Sequence, residues 1–447
     1  MPYSVVISSN DLRQLERCRD AIAAHQPNAR LVIVTNSLDY PGAIRLDTPF
    51  QFSRNMNAGI VAAGRNDVIL CNHDALLRTR SGFDALARAA EYYGVVSPVI
   101  DGRCGNAGQK IMGQGTVADP NQGTVAKPNQ GTVAEPNPLA FVCPYIPRAT
   151  IDAIGLLDER FEVGTWEDTD YCRRVQLAGM TLGICRDCIV THAEEDAILV
   201  KQPDYDDIFD RNQGRFDAKY ATERLMLSLC ICSIRSREQF LSRLMECLRP
   251  QLAEFGQWVE VLTAVDNGNA SIGEKRQRLL EASRGEYVAS IDDDDLVSPD
   301  YLRQIILTIL RGTDPDCVTF RGRRYRDGMH TGDVLYSLKN ERDSDGLENG
   351  RMIYRRSPYH VNPIRRELAM RVGFKGMDFR EDGDFSQRLR PLLKSEEFID
   401  APLYYYYWRT EANRQSEATH EDVLSRQIDP RCMTPRQIRA AIQAAMY

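Results

Sequence analysis

The chain has 447 residues, more than a single hydrophobic core usually serves, and this predicts two domains of about 200 residues each. Its 43% apolar and 27% charged residues are ordinary for a globular protein, and a formal charge of −7 excludes a surface devoted to wrapping nucleic-acid phosphate while leaving room for a local basic groove. No run approaches the roughly 20 apolar residues that span a bilayer, and Met1-Pro2-Tyr3-Ser4 opens no basic-then-apolar leader, so the expected location is cytoplasmic.

In chain order, Tyr3 to Ser8 reads as a strand, Leu12 to Ala24 as a helix, Leu31 to Thr35 as a strand, Asn55 to Ala63 as a helix and Val68 to Leu70 as a strand. The second half repeats that order, with strands over Leu227 to Cys232, Val259 to Ala264 and Tyr287 to Ile291 and helices over Arg237 to Leu248 and Ile272 to Ala282. Alternation of this kind implies α/β domains with a mostly parallel, Rossmann-like sheet. Ser298-Pro299 reads as the cap and first turn of a helix whose apolar face is Leu302, Ile305, Ile306, Ile309 and Leu310, stopped by Gly312.

Glu194 to Glu223 is polar and acidic, which suits an exposed connection, and the expected domains are residues 1–222 and 223–447. Three octads, GTVADPNQ, GTVAKPNQ and GTVAEPNP, fill Gly115 to Pro138 and read as an extended, turn-punctuated loop, either a tolerated surface insertion or a flap near the acceptor. Thr434 to Tyr447 reads as a short amphipathic helix. The 12 cysteines are scattered, several in apolar runs, and the lone CxxC at Cys185 and Cys188 lacks the second ligand pair of a zinc site, so structural thiols are expected.

Each half carries the same acidic constellation. Asn72-His73-Asp74 is followed by Glu167-Asp168-Thr169-Asp170, and Asp292-Asp293-Asp294-Asp295 by Glu381-Asp382-Gly383-Asp384. The offsets nearly agree, 294 − 74 = 220 and 382 − 168 = 214, as two repeats of one module would give. The first member of each pair ends a strand, where open α/β sheets gather ligands.

These residues carry a resemblance. Phe52-Ser53-Arg54-Asn55-Met56-Asn57-Ala58-Gly59, Val68 to Asp74, Gly155-Leu156-Leu157-Asp158, Trp166 to Arg174 and Val190-Thr191-His192 follow the motif order of family 2 glycosyltransferases of the GT-A nucleotide-sugar fold. Gly273-Glu274-Lys275-Arg276, Arg284 to Pro299, Val372-Gly373-Phe374 and Arg380 to Phe385 do the same in the second half. The resemblance implies two tandem GT-A domains that move a sugar from a nucleotide donor, expected to be a UDP-sugar, to an acceptor hydroxyl with inversion.

It also implies the roles. A diphosphate leaves as a concentrated anion, which a Mn2+ or Mg2+ ion held by carboxylates stabilises. Asp292 and Asp294 are the expected metal ligands in the second half, with Asp295 behind them, and Asp74 with His192 in the first. Asn72, Asp74, Asp292, Lys275, Arg276 and the base-contacting Asp266 make up the expected donor site, with Asn36 and Asp39 a weaker counterpart to Asp266 in the first half. An acceptor hydroxyl needs a carboxylate base within hydrogen-bond reach, and Asp168 and Asp382 are the expected bases, oriented by Glu167 and Glu381. His73 is expected at the surface. Tyr404 to Trp408 reads as core and sheet edge, with Trp408 open to sugar stacking. Two alternatives remain: one active domain beside a degenerate one used for acceptor binding, and a carbohydrate- or nucleotide-binding protein without turnover. The acceptor, whether glycan, protein or modified base, is not set by the motifs.

Overall fold

The computed structural model describes residues 3–102, 104, 106, 109–110, 138–192 and 204–408. The octads, apart from Pro138, and the segment from Thr434 to Tyr447 lie outside the described residues. The chain forms two compact units that divide between Ala218 and Lys219.

The first unit runs β1 (Tyr3–Ser8), α1 (Leu12–His25), β2 (Arg30–Thr35), β3 (Ile44–Arg45), α2 (Phe52–Ala62), β4 (Asp67–Asn72), β5 (Ala75–Leu77), α3 (Gly82–Ala89), β6 (Val95–Gly102), β7 (Tyr145–Ile146), α4 (Arg148–Ile154), α5 (Glu167–Leu177), β8 (Leu182–His192) and α6 (Tyr205–Tyr220). Its sheet has the order β3-β2-β1-β4-β7-β6-β8-β5. β1 pairs parallel with β2 and β4, and β7 turns the sheet antiparallel beside β4. β1 is central and covered on both faces, which is why Val5, Val6 and Ile7 form a continuous apolar run rather than an alternating one. α1 starts where Asp11 accepts the Gln14 N–H at 3.0 Å.

The second unit runs β9 (Leu227–Ile234), α7 (Glu238–Phe255), β10 (Val259–Asp266), α8 (Ile272–Ala282), β11 (Tyr287–Asp292), β12 (Leu296–Val297), α9 (Tyr301–Ile309), β13 (Cys317–Arg326), β14 (Met329–Tyr336), β15 (Ser344–Glu348), β16 (Arg351–Arg356), β17 (Ile364–Arg365), α10 (Arg366–Val372), α11 (Glu381–Leu389) and β18 (Glu396–Trp408). Its parallel part, β10-β9-β11, continues through β17 into β13-β14-β16-β15, with β18 pairing both β12 and β13. A reciprocal capping box between Ser271 and Glu274 fixes the start of α8, the helix that carries Lys275 and Arg276.

Three expectations change. The supposed exposed connection contains α6, because Tyr205, Ile208, Asn212, Phe216 and Tyr220 recur at helical spacing beneath its acidic residues. Asn212 is fully buried and bonds Glu162 and Thr165, and Phe209 and Phe216 pack on Trp166. α7 continues through Pro250 to Phe255, held by Gln251, whose side chain bonds Ser298 O and the Leu302 N–H. α9 begins at Tyr301 with Asp300 as its cap; the Ser298 Oγ, the atom a cap would use, has no hydrogen-bond partner, and the Ser298 N–H donates to Leu403 O at 2.9 Å.

Candidate active site

In the first unit β4 delivers Asn72 to the edge of the parallel sheet, and β5 pairs antiparallel with β8 so that Ala75 faces His192. That register brings Asp74 Oδ1 within 3.3 Å of His192 Nε2. His73 turns aside, its Nδ1 lying 2.7 Å from Ser9 Oγ. At the other cluster, α5 begins with Glu167 and Asp168 just after Trp166, whose φ of 73° is left-handed. Arg380 precedes Glu381 with φ 63° in the second unit, so both acid pairs are launched from the same strained turn.

One segment joins the two clusters of the first unit. Val142 O accepts the Asn72 N–H at 3.0 Å, and the Phe141 N–H donates to Asp168. Burial pushes the Asp168 carboxyl above its ordinary range despite its N–H donors, as suits a proton acceptor. Glu167 is 4% exposed, and its Oε2 has no hydrogen-bond partner. Burial, then the neighbouring Asp168 and Asp170, hold Glu167 well above the carboxylate range. The Asn72 Oδ1 is also buried without a partner.

In the second unit a guanidinium occupies the corresponding space. Arg276, 2% exposed, donates to Asp292 Oδ1 at 2.7 Å and to Glu381 Oε1 at 3.2 Å, so one side chain ties the end of β11 to the start of α11. Burial opposes ionisation of Asp292, but Arg276 and then His360 keep its carboxyl well below the usual range. His360 Nε2 lies 3.6 Å from Asp292 Oδ2. The adjacent Tyr359 hydroxyl donates to Asp382, whose Oδ1 also accepts the Gly383 N–H at 2.6 Å. The dipeptide Tyr359-His360 therefore touches both acid clusters.

The remaining acids divide by partner. Arg237 holds Asp293 at 2.8 Å and Asp294 at 2.5 Å. Asp295, expected behind the ligands, is built into the sheet: it is 1% exposed and accepts the Tyr404 hydroxyl and the Tyr407 N–H, both at 2.7 Å. Asp266, expected on the nucleotide base, accepts from Gly268, Asn269 and Ala270 and from Lys275 Nζ at 2.9 Å, so it shapes its own loop. Lys275 spends its ammonium on Asp266 and on Ser233 O. In the first unit Asn55 bonds Asn36 at 2.6 Å and Ser8 at 2.9 Å in the corresponding place.

Two spacings tie the units position by position. Along the helix before the acidic strand, Asn57 accepts the Leu157 N–H and Gln277 the Phe374 N–H, and 277 − 57 = 220, which makes Met56 the counterpart of Arg276. Beyond the second cluster, Leu296 pairs Tyr405, so one step along the same register sets Tyr406 opposite Asp295 as His192 faces Ala75. The spacing 406 − 192 = 214 equals 382 − 168 = 214. β18 thus offers a phenol where β8 offers an imidazole.

Sequence reasoning did not single out Arg237, Tyr359, His360 or Tyr406. The signal for His360 was its rarity, one of six histidines, but it stands far from both acid motifs in sequence. Among the described residues no three His, Cys, Asp or Glu side chains converge as a complete metal cage. Cys185 and Cys188 are buried, and burial raises both thiols, which disfavours reactive thiolates.

No family model matches the chain. Over 175 residues, 35% of this chain, it is 27% identical to "Putative glycosyltransferase EpsH" of Bacillus subtilis (strain 168), and it spans about half, 48%, of that relative's length. Among solved structures it is similar to S. aureus TarS 1-349, at 13% identity and TM-score 0.31, covering 41% of this chain and 60% of that one. The complex of TarS 1-349 with UDP-GlcNAc gives 15% identity and TM-score 0.32, over 45% of this chain and 64% of that one.

Proposed function

We propose that the protein is an inverting glycosyltransferase made of two GT-A modules, residues 1–222 and 223–447, that moves a sugar from a UDP-sugar to an acceptor hydroxyl. The observation that carries this reading is the Arg276 bridge, which holds the strand-end carboxylate Asp292 and the acceptor-side Glu381 in one site. The EpsH similarity points to the same chemistry. In the proposed step the acceptor oxygen attacks the anomeric carbon while the bond from that carbon to the β-phosphate oxygen breaks. The hydroxyl proton passes to Asp382, or to Asp168 in the first module, and nucleoside diphosphate departs with the bonding pair.

Asp74 and His192, with ligand atoms 3.3 Å apart, fit a divalent cation in the first module; in the second, Asp292 and Asp294 would be the ligands, and both now face guanidinium groups, Asp292 that of Arg276 and Asp294 that of Arg237. Mn2+ or Mg2+ bound there would supply positive charge to the departing diphosphate.

The full chain, incubated with a panel of nucleotide sugars, Mn2+ and glycan acceptors, should release nucleoside diphosphate faster when acceptor is present and give a product of inverted anomeric configuration. Silence across the panel would sink the reading. A second version, in which only the second module turns over, is favoured by Met56 and Asn72, which remove a guanidinium and a carboxylate from the first.

A further inference from the structure

The face of β18 that meets Asp292 and Asp295 continues outward as a strip of aromatic rings and guanidinium groups. Tyr404, Tyr406 and Trp408 alternate along one face of the strand, and exposure rises along them from 1% to 37% to 40%. The Tyr404 hydroxyl donates to Asp295 and accepts the Asp292 N–H, so the inner end is anchored at the acid cluster. The parallel neighbour β13 sets Arg324 beside Tyr406 and Arg326 beside Trp408. Arg326 lies 4.7 Å over the Trp408 ring, and Arg324 lies between two rings, 4.8 Å from Tyr354 and 5.8 Å from Tyr406. Tyr354 reaches it across Gly332, where a Cβ would stand 3.0 Å from the Tyr354 ring. The intervening residues, Tyr325 and Tyr407, point the other way and stack at 4.9 Å in the core.

Several other arginines of this lobe are neutralised: Arg321 by Asp400, Arg355 by Glu348 and Arg356 by Asp345. Arg324 and Arg326 have no ion pair or side-chain hydrogen bond among the described residues. Each guanidinium lies over an aromatic ring, a contact that uses none of its N–H donors and leaves them for a ligand.

We propose that this strip is an acceptor track for an acidic glycan, a sugar chain bearing carboxylate or phosphate groups. Exposed Tyr406 and Trp408 offer faces for sugar rings, and the two guanidinium edges match anions in bidentate fashion. From Tyr404 to Trp408 the track is about 13 Å long at about 3.3 Å per residue, enough for roughly two sugar units leading to the acid cluster. Two unpaired guanidinium groups supply few of the roughly 6–10 phosphate contacts that give strong duplex binding its salt dependence. The inference rests on the transfer reading of the second unit and adds the acceptor's class to it.

Isothermal titration of the full chain with polygalacturonate oligomers, neutral malto-oligosaccharides, a ten-nucleotide oligo-dT and UDP tests the track. Polygalacturonate should bind at least about tenfold more tightly than the neutral chain. R324Q/R326Q should erase that difference, the exposed single variant R326Q should remove about threefold of it, and R321Q should leave it intact, all with unchanged UDP binding. Equal affinity for acidic and neutral chains, full binding by the double variant, or tighter binding of oligo-dT would each overturn the proposal. Arginine-dependent polygalacturonate binding by a protein that ignores UDP would support the track and sink the transfer reading instead.

Discussion

In the second unit Arg276 lies between Asp292 and Glu381; in the first, Met56 stands at the corresponding place, and Asn72 and Glu167 each keep a buried oxygen without a donor. A buried cation flanked by two carboxylates is stable only while all three partners are present. The first unit solves the same problem by removing one charge at Asn72 and by raising the pKa of Glu167, which favours a neutral carboxylic acid. Of the two sites, one is therefore ionic and locked, and the other is closer to neutral and keeps two buried oxygens unpartnered.

The largest effect should come from separating the two bases. Asp382→Asn and Asp168→Asn, assayed one at a time for nucleoside diphosphate release, should each cut the step they serve by about 10²–10⁴-fold. If Asp168→Asn changes nothing while Asp382→Asn abolishes release, the ionic unit alone turns over. Equal partial losses would support two active modules.

Next comes the bridge. Arg276→Met gives the second unit the first unit's residue and strands Asp292 and Glu381, and it should destabilise that unit by about 3–5 kcal/mol in urea denaturation at pH 7. The penalty should shrink in acid. The folded pKa of Asp292 is depressed, so its pairing contributes stability above the unfolded value of about 3.9 and loses it as pH falls toward the folded one. A penalty that stays constant with pH would mean that Arg276 acts through packing.

Much of this site was legible in the sequence because strand-end acids and helix-start acids are local patterns. Asp292, Glu381, Asp74 and His192 could all be named, and the structure brings each pair together. What was not legible depends on partners distant in sequence. Asp295 looks like its three neighbours until Tyr404 and Tyr407, over 100 residues later, bury it. The helix α6 was missed because its acidic surface residues hide a stripe of well-spaced aromatics. Tyr406 became the counterpart of His192 only through strand register, since a tyrosine in a run of four carries no signal of which ring faces the site.

That register makes a smaller, sharper test. His192→Ala should weaken Mn2+ binding at the first unit by about 10–100-fold, measured by calorimetry with UDP present, whereas Tyr406→Phe should leave Mn2+ binding at the second unchanged. Tyr406→His should strengthen it. Loss of Mn2+ binding in Tyr406→Phe would show that the phenol is itself a ligand.

Glu167→Gln should move stability the other way from Arg276→Met. Because the folded pKa of Glu167 is raised, its contribution is fully present below the unfolded value of about 4.3 and is lost as pH climbs through the folded value. The substituted amide never ionises in either state, so the variant should match the parent near pH 4 and be the more stable of the two at pH 8, by about 1.4 kcal/mol for each unit by which the folded pKa is raised. A variant less stable than the parent at pH 8 would place an unseen donor on Glu167.

The smallest difference between the units is at the strand ends, where Lys275 and Asp266 form an ion pair and Asn55 and Asn36 a neutral one. Lys275→Asn copies the neutral version. Asp266 keeps three backbone N–H donors and faces solvent, so the urea midpoint should fall by much less than for Arg276→Met. The residual loss should shrink only in part in 1 M NaCl, because the pair is 2.9 Å apart and Lys275 is 6% exposed, so salt screens it less than an open surface pair. Asn55→Ala, which breaks only neutral bonds, should show no such salt response. A Lys275→Asn penalty wholly unchanged by salt would mean that the buried stem and the Ser233 contact, rather than the charge pair, are what hold this end of β10 in place.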